Sequence, residues 1–429
     1  MEVNNKKIIN AWAFYDWANS VFPLVITAAI FPPFYESMTE KAFNGDMLSF
    51  WGFEIKNTVL YSYAFSFSFL IIAIISPFLS GIADYTGRKK DFMRFFVIIG
   101  SFSCMLLFFF NGYNLSLGIL AMVLGNIGFN GSLVFYNAYL PEIASVDQRD
   151  KVSAKGFSLG YIGGFVLLVF NLFVIMNAER IGFKNDILPV QLAFLSVGIW
   201  WLAFSQYTFH HLPRSAKTER ITPNVVFNGF NELKKVFRYV MKNRYMQPFL
   251  FAFFFYSMGV QTVLYMASLY GAKVIRVSTE NLIISILLIQ LVATVGAQLF
   301  AYLSSLIGNI RTLMISLIIW ISICIIAYYI TTTSGFYLVA AIVGLVMGGI
   351  QSLSRSTYAK MIPAESNETA SFFSFYEFFE KIAIVIGIAA YGFVEYISGS
   401  MRNSALMLSI FFISGLLILL FVRVEEKKQ

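Results

Sequence analysis

Five charged residues stand inside stretches too apolar to sit in water. Asp16 lies in Trp12-Ala-Phe-Tyr-Asp-Trp-Ala-Asn19, and Arg355 in Gly349-Ile-Gln-Ser-Leu-Ser-Arg355. Glu377, Glu380 and Lys381 share Tyr376-Glu-Phe-Phe-Glu-Lys381. A charge at mid-membrane costs about 2.5–3.5 kcal/mol on insertion scales unless it faces protein or water. At about 1.5 Å per helical residue, Asp16, Arg355, Glu380 and Lys381 lie roughly 10–15 Å deep, at one height. Opposite charges at one depth on three helices predict a shared polar cavity that binds a solute. Arg355 would hold an anionic group such as a carboxylate. A carboxylate withdrawn from water takes up a proton more readily, so Asp16 and Glu380 are the candidates for a coupling proton.

Neighbours on the same helical faces extend the pattern. Asn19 follows Asp16 by three, Gln351 precedes Arg355 by four, and Glu377 precedes Glu380 by three and Lys381 by four. Asn126, Asn130 and Asn137 form a stripe on one run, as do Gln261 and Tyr265 on another. For the asparagines and Gln261 a second reading stays open, since polar side chains also tie packed spans together. Glu380 and Lys381 are adjacent opposite charges that could simply neutralise each other. Glu142, beside Pro141, reads as a gate or cap residue rather than a ligand.

Other chemistries are excluded by what is missing. The two histidines, His210 and His211, are adjacent at the end of an apolar run and form no H-E-x-x-H or Ser/His pattern. No catalytic residues are therefore assigned, and the chain is not read as an enzyme. Cys104 and Cys324 both lie in apolar runs, with no disulfide framework or metal spacing. No metal or cofactor is expected. No nucleotide-binding motif is present, so an ion gradient should drive any transport.

The elements that must position these residues are membrane helices. Of 429 residues, 58% are hydrophobic and 13% charged, with mean hydropathy +0.71; a soluble domain is about 45–50% apolar and about 25% charged. The chain reads as an all-α membrane protein of twelve spans in two six-helix bundles. The first set of runs is roughly Ile8–Tyr35, Asn57–Ser80, Phe92–Phe110, Leu115–Leu140, Ala154–Met176 and Pro189–Phe209. The second is roughly Gln247–Tyr270, Asn281–Leu303, Leu313–Ile330, Phe336–Ile362, Ser371–Tyr396 and Ala405–Val422. No cleavable signal pattern precedes the first run, which is long enough to remain as a helix. Gly160-Tyr-Ile-Gly-Gly164 in the fifth run predicts close helix packing.

The domain reading is 1–211 as a first bundle, 212–246 as a linker and 247–429 as a second bundle. In the linker, Val226, Phe230, Leu233, Phe237 and Val240 recur at helical spacing, with Lys234, Lys235 and Arg238 elsewhere around the wheel. That pattern predicts a basic amphipathic helix lying along the inner leaflet. Lys and Arg concentrate in the termini, the linker and the loops that share their side. The other side holds Lys41, Lys56, Arg180, Lys184, Lys273, Arg276 and Arg402. This bias places both termini in the cytoplasm, and it accounts for the net charge of +8 without a nucleic-acid partner. The expected setting is a bacterial inner membrane, the expected state a monomer in the lipid bilayer.

Between the second and third runs lies Gly81-Ile-Ala-Asp-Tyr-Thr-Gly-Arg-Lys-Lys90. Gly81 and Gly87 allow a tight reversal, and the spacing of Asp84 and Arg88 predicts an ion pair across one turn. Gly81, Asp84, Gly87, Arg88, Lys89, Lys90 and Glu142 are read as a cytoplasmic gate. A faded copy, Tyr302-Leu-Ser-Ser-Leu-Ile-Gly-Asn-Ile-Arg311, puts Ser305 in the place of Asp84 and points to duplicated halves.

The turn resembles the G-x-x-x-D-x-x-G-R-K-K signature of the major facilitator superfamily. Further pieces resemble one branch, the "unknown major facilitator" family, which is related to fungal vacuolar effluxers associated with autophagy. They are Tyr15-Asp-Trp-Ala-Asn-Ser20, Phe135-Tyr-Asn-Ala-Tyr-Leu-Pro-Glu-Ile-Ala144, Ser153–Gly164, Gly349–Ser356, Ile362-Pro-Ala364, Phe373-Ser-Phe-Tyr376 and Lys381. The resemblance implies a major facilitator fold, with spans one, four, seven and ten lining a central cavity. It would put Asp16, Gln261, Gln351 and Arg355 on cavity-lining helices. Together with the buried polar neighbours, the expected substrate site is Asp16, Asn19, Asn130, Gln261, Gln351, Arg355, Tyr376, Glu380 and Lys381. Glu377 and Glu380 depart from that family's pattern, where smaller or neutral residues precede the lysine. The function expected is secondary active transport of a small polar solute, such as an amino acid or peptide-like molecule, by alternating access with a proton. A lipid or muropeptide-like substrate, or a receptor that transports nothing, are the alternatives.

Overall fold

The structure, a computed structural model, describes residues 3–183, 185–214 and 225–422. Among them are twelve helices long and apolar enough to cross a membrane, as the hydropathy pattern requires. They are spans one to six, Lys6–Phe43, Asn57–Thr86, Lys89–Phe109, Leu115–Ile143, Arg149–Met176 and Ile187–His211, and spans seven to twelve, Met246–Ile275, Thr279–Ile307, Asn309–Tyr329, Thr333–Met361, Thr369–Ser398 and Met401–Leu419. A membrane interior offers no water to backbone groups, so each crossing closes its hydrogen bonds within a helix.

Span one is longer than its apolar run. It begins at Asn5, whose side chain caps the N–H groups of Lys7 and Ile8, and continues as a π-helical stretch from Phe22 to Ile30. Pro23, lacking an N–H, sits at the start of that stretch. A small antiparallel hairpin, β1 (Met47–Phe50) and β2 (Phe53–Lys56), joins spans one and two. Trp51 and Gly52 both have positive φ at its tip, 50° and 86°, the two-residue geometry that matches strand twist. The apolar-run reading does not contain this hairpin.

The linker helix, Val225–Lys242, forms as its apolar spacing predicts but docks differently. Leu233, Val236 and Val240 are buried against the bundle. Phe227 is exposed, and Phe230 and Phe237 are partly exposed at the edge of the contact. The helix crosses span two, where Phe230 faces Phe78 at 6.3 Å, and span eleven, where Phe237 and Tyr239 meet Phe375 and Phe372, both at 5.7 Å. It therefore bridges elements of both halves, its apolar face meeting span two through Phe230 and span eleven through Phe237 and Tyr239. Lys235 ion-pairs with Glu368, just before span eleven. Partial burial favours the neutral acid there, yet the Lys235 and Ser366 hydrogen bonds outweigh it and hold the Glu368 carboxyl below its ordinary value.

At the crossing with span two, any side chain at Gly81 would strike the backbone carbonyl of Gly229. Gly81→Leu is expected to lift the linker helix off the bundle. Overpacking of this kind costs about 1–3 kcal/mol, read as a lower melting temperature in detergent and faster limited proteolysis of the linker. Unchanged melting and cleavage would show that the helix is not held at this point.

Candidate functional site

The local packing of span five lets the central charges meet. A Cβ at Gly156 would stand 2.5 Å from Asp16 Oδ2 and 3.0 Å from the Arg355 guanidinium. The expected close packing of the Gly160–Gly164 stretch is found against span one, at Trp17 and Ser20. With that space left open, Arg355 of span ten reaches across to the first half. Its Nη1 and Nη2 lie 3.2 and 3.3 Å from Asp16 Oδ2, and it also donates to Asn137 Oδ1, Ser153 Oγ and the Ser153 carbonyl. Tyr136 donates to the same Asp16 oxygen at 2.7 Å. The rings of Phe157, Trp12 and Tyr136 surround the guanidinium at 4.1, 4.8 and 5.4 Å, a cation–π arrangement. Every donor of the guanidinium is thereby engaged, and the contacts to the carboxylate converge on Oδ2; such bonds help a buried pair to offset its desolvation.

The hydrogen bonds continue beyond the pair. Asn137 of span four donates to Glu377 Oε1 at 2.8 Å, and Lys381 donates to Glu377 at 2.8 Å and to Glu380 at 2.6 Å. Gln261 of span seven donates to Glu380 Oε1 at 2.9 Å. One polar chain thus runs Asp16–Arg355–Asn137–Glu377–Lys381–Glu380–Gln261, through spans one, ten, four, eleven and seven. It answers the question left by the adjacent Glu380 and Lys381. Lys381 is shared between two glutamates, so the group is not a neutral pair.

This chain lines a cavity of about 270 Å³. Asp16, Asn19, Asn130, Gln261, Gln351, Arg355, Tyr376, Glu380 and Lys381 all border it, so the structure brings every candidate ligand residue to one chamber. The Asn19 amide nitrogen is buried there with no hydrogen-bond partner. Gln351 accepts from Tyr161 at 2.6 Å. The chamber extends from Asp16 to Ala28 on span one and from Arg355 back to Met347 on span ten, so it runs away from the face carrying both termini.

On the terminal face the two halves are joined at two places. Asp84 accepts from the backbone N–H groups of Ala370 and Ser371 at 3.2 and 2.7 Å, capping the first turn of span eleven from outside. Lys89 bonds Glu142 and Thr369, and Thr369 donates to Glu142 at 2.7 Å. The second joint is Asp150, which takes Lys360 at 2.6 Å, Asn309 at 2.8 Å and Ser304 at 3.1 Å. Beside it, Arg149 donates to the Ala359 carbonyl at 2.7 Å.

The ion pair expected between Asp84 and Arg88 is not formed. Asp84 pairs with the buried Lys89 at 3.6 Å, and Arg88 is exposed. The helix ends at Gly87, which has φ +67°, so residues 84 and 88 do not share a continuous turn and the i, i+4 geometry is lost. Gly81 packs on the linker helix and Lys90 donates to the Leu212 carbonyl at 2.7 Å, outside the Asp84 cluster. In the faded copy, Gly308 also closes its span at φ +86°. Ser305 bonds only within its own helix, to Tyr302, and the acid of that joint comes from Asp150 on span five.

Asn137, Glu377, Tyr136, Ser153 and Gln290 belong to the network or the cavity wall but not to the predicted ligand set. Asn137 and Glu377 carried a signal, each sharing a helical face with predicted residues. Ser153 and Tyr136 stood out only as members of the stretches of family resemblance, with no role, because they act through partners distant in sequence. Asn126 instead bonds Ser68 and Asn130, tying spans two and four.

The family described as "Vacuole effluxer Atg22 like" matches residues 4–429. An MFS-type transporter of Bacillus subtilis (strain 168), YxiO, is 32% identical over 97% of this chain and 95% of its own length. Autophagy-related protein 22 of Yarrowia lipolytica is 23% identical over 89% of this chain and 78% of its own. In fold the chain is similar to the human organic anion transporter MFSD10 (TETRAN), with TM-score 0.72 at 12% identity, covering 96% and 99% of the two chains. FucP, a major facilitator superfamily transporter in the outward conformation, gives TM-score 0.71 at 13% identity, covering 98% and 99%. At such identities the likeness shows the fold alone.

Removing one member of a buried ion pair strands the other and costs about 3–5 kcal/mol. Asp16→Asn and Arg355→Met should each destabilise by that order, while the double variant loses less than their sum. A double-mutant cycle read by unfolding in detergent checks this. Strictly additive losses would mean that the two residues do not act as a pair.

Proposed function

The chain belongs to the family of Atg22-like vacuole effluxers, and from that premise we propose secondary active transport of a small polar solute by alternating access, coupled to a proton. It is a multi-pass MFS-type transporter and not an enzyme.

One observation carries the proposal. Three carboxylates, Asp16, Glu377 and Glu380, and two cations, Arg355 and Lys381, line the same chamber. Asp16 has its own cation in Arg355, whereas Lys381 serves two glutamates. An unbalanced buried charge is costly, so the third carboxylate calls for a cation that can come and go. Glu380 is the more open of the two glutamates, its side chain 17% exposed against 4% for Glu377. Of the two candidate proton carriers, Glu380 is therefore the one this charge count supports. Asp16, held by Arg355 and Tyr136, serves instead as the floor latch of the chamber.

The solute site is formed by Asn19, Asn130, Gln261, Gln351, Tyr376 and the Glu380–Lys381 pair, with Arg355 already committed in this state. A chamber of about 270 Å³ falls below the range of about 300–1,000 Å³ typical for drug-sized ligands. That size supports an amino acid or small peptide-like solute over a lipid or muropeptide-like one. Alternating access would break the Asp84–Lys89–Glu142 and Asp150–Lys360 joints, open the terminal face and close the other. The basic bias of the loops supports a cytoplasmic terminal face in a bacterial inner membrane. One chamber between two halves of one chain supports the division into 1–211, 212–246 and 247–429 and a monomeric transporter.

The test is flux in proteoliposomes with labelled amino acids and peptides under an imposed pH gradient. Uptake should follow the gradient, and Glu380→Gln should abolish that dependence while solute exchange at equal pH persists. Asp16→Asn and Arg355→Ala should slow exchange about tenfold or more, equivalent to about 1.4 kcal/mol in the barrier. Gradient-independent uptake by the unaltered protein would sink proton coupling. Ligand-induced thermal stabilisation without any flux would favour the receptor reading.

A further inference from the structure

A second concavity lies on the terminal face at the lipid-facing edge of the first half, where span three begins and span six ends. It holds about 550 Å³ and is bordered by Lys90, Arg94, Gln206, Phe209, His210 and Arg214. We propose that it binds the phosphate headgroup of an anionic lipid from the leaflet on that face.

Its geometry is built rather than incidental. Lys90 and Arg94 lie one turn apart on span three, so both project from one face. The Lys90 ammonium is anchored on the Leu212 carbonyl at 2.7 Å, and the Arg94 guanidinium stacks over the Phe209 ring at 5.1 Å. Those two contacts fix the cations without neutralising them. Among the described residues, Lys90, Arg94 and Arg214 take part in no ion pair, and Asp91, beside Lys90, is exposed and pairs with none of them. At the same face Lys89, Lys235 and Lys360 each have a carboxylate; what sets the hollow apart is that three unpaired cations border one concavity. Two held positive charges and the exposed Arg214 around one hollow favour a doubly hydrogen-bonding anion such as a phosphate ester.

The apolar surface beneath the hollow indicates where that phosphate comes from. Below Arg94 on span three, Ile98 and Phe102 follow at helical spacing and are exposed; below Gln206 and His210 on span six, so is Ile199. A headgroup seated among the cations would lay its acyl chains along this wall, which a free anion would leave bare. Basic pockets between spans on the cytoplasmic side are a known way of holding anionic headgroups.

The experiment uses the full-length protein in detergent. Lipid retention is counted by native mass spectrometry, and thermal stability is measured with added phosphatidylglycerol, phosphatidylcholine or inorganic phosphate. Phosphatidylglycerol should be retained and should stabilise, whereas phosphatidylcholine and inorganic phosphate should not. Arg94→Gln with Arg214→Gln removes two charges worth about a factor of five each at an anionic surface, so affinity should fall about 25-fold. Arg94→Lys with Arg214→Lys should restore most of it, which separates lost charge from lost folding. Lys234→Gln with Arg238→Gln on the linker helix should leave retention unchanged. Equal retention by the glutamine variant, equal loss in the linker control, or protection by inorganic phosphate that matches the lipid's would each overturn the proposal.

Discussion

An arginine from one half of the chain and an aspartate from the other meet deep in the protein, and the arrangement around them follows from that contact. In a medium of low polarity neither charge is tolerable alone. Arg355 is therefore given a carboxylate, an amide, a hydroxyl, a carbonyl and three ring faces, while Asp16 receives the guanidinium and a tyrosine hydroxyl. The missing side chain at Gly156 is part of the same solution, because it is the space in which the two charges approach. The pair also joins the halves at the inner end of the chamber, so any rocking of one half against the other must first act on it.

From this contact the polar chain passes sideways into span eleven and changes character. Around Arg355 each charge is matched. Around Lys381 two carboxylates compete for one ammonium. The first arrangement holds the halves together. The chamber thus has a floor of balanced charge and a wall with one carboxylate in excess.

The terminal face uses the same physics with cheaper parts. Asp84 caps a helix of the opposite half by accepting two backbone N–H groups, and Asp150 gathers a lysine, an asparagine and a serine from the second half. The two joints occupy corresponding places in the two halves, yet the acid sits on span two in one and on span five in the other. The site of contact corresponds in the two halves, and the charge does not. Across the same face, the linker helix touches spans two and eleven, close to the Asp84 joint.

Composition and hydropathy alone determined the twelve crossings, because a span must be apolar over about 20 residues whatever it later packs against. The charges at common depth were also legible, since their cost in lipid makes them conspicuous in sequence. Partners were not. Asp84 looked set to pair with Arg88 until Gly87 broke the helix between them, and the fold turned Lys89 inward instead. The linker helix had a readable period, but which spans its apolar face would meet was decided only by packing. Ser153, Tyr136 and the shared claim of Glu377 and Glu380 on Lys381 emerged only when helices far apart in the chain were brought together. Local spacing fixes which residues share a face; which faces meet is decided by the tertiary structure, through contacts between residues as far apart as Asp16 and Arg355.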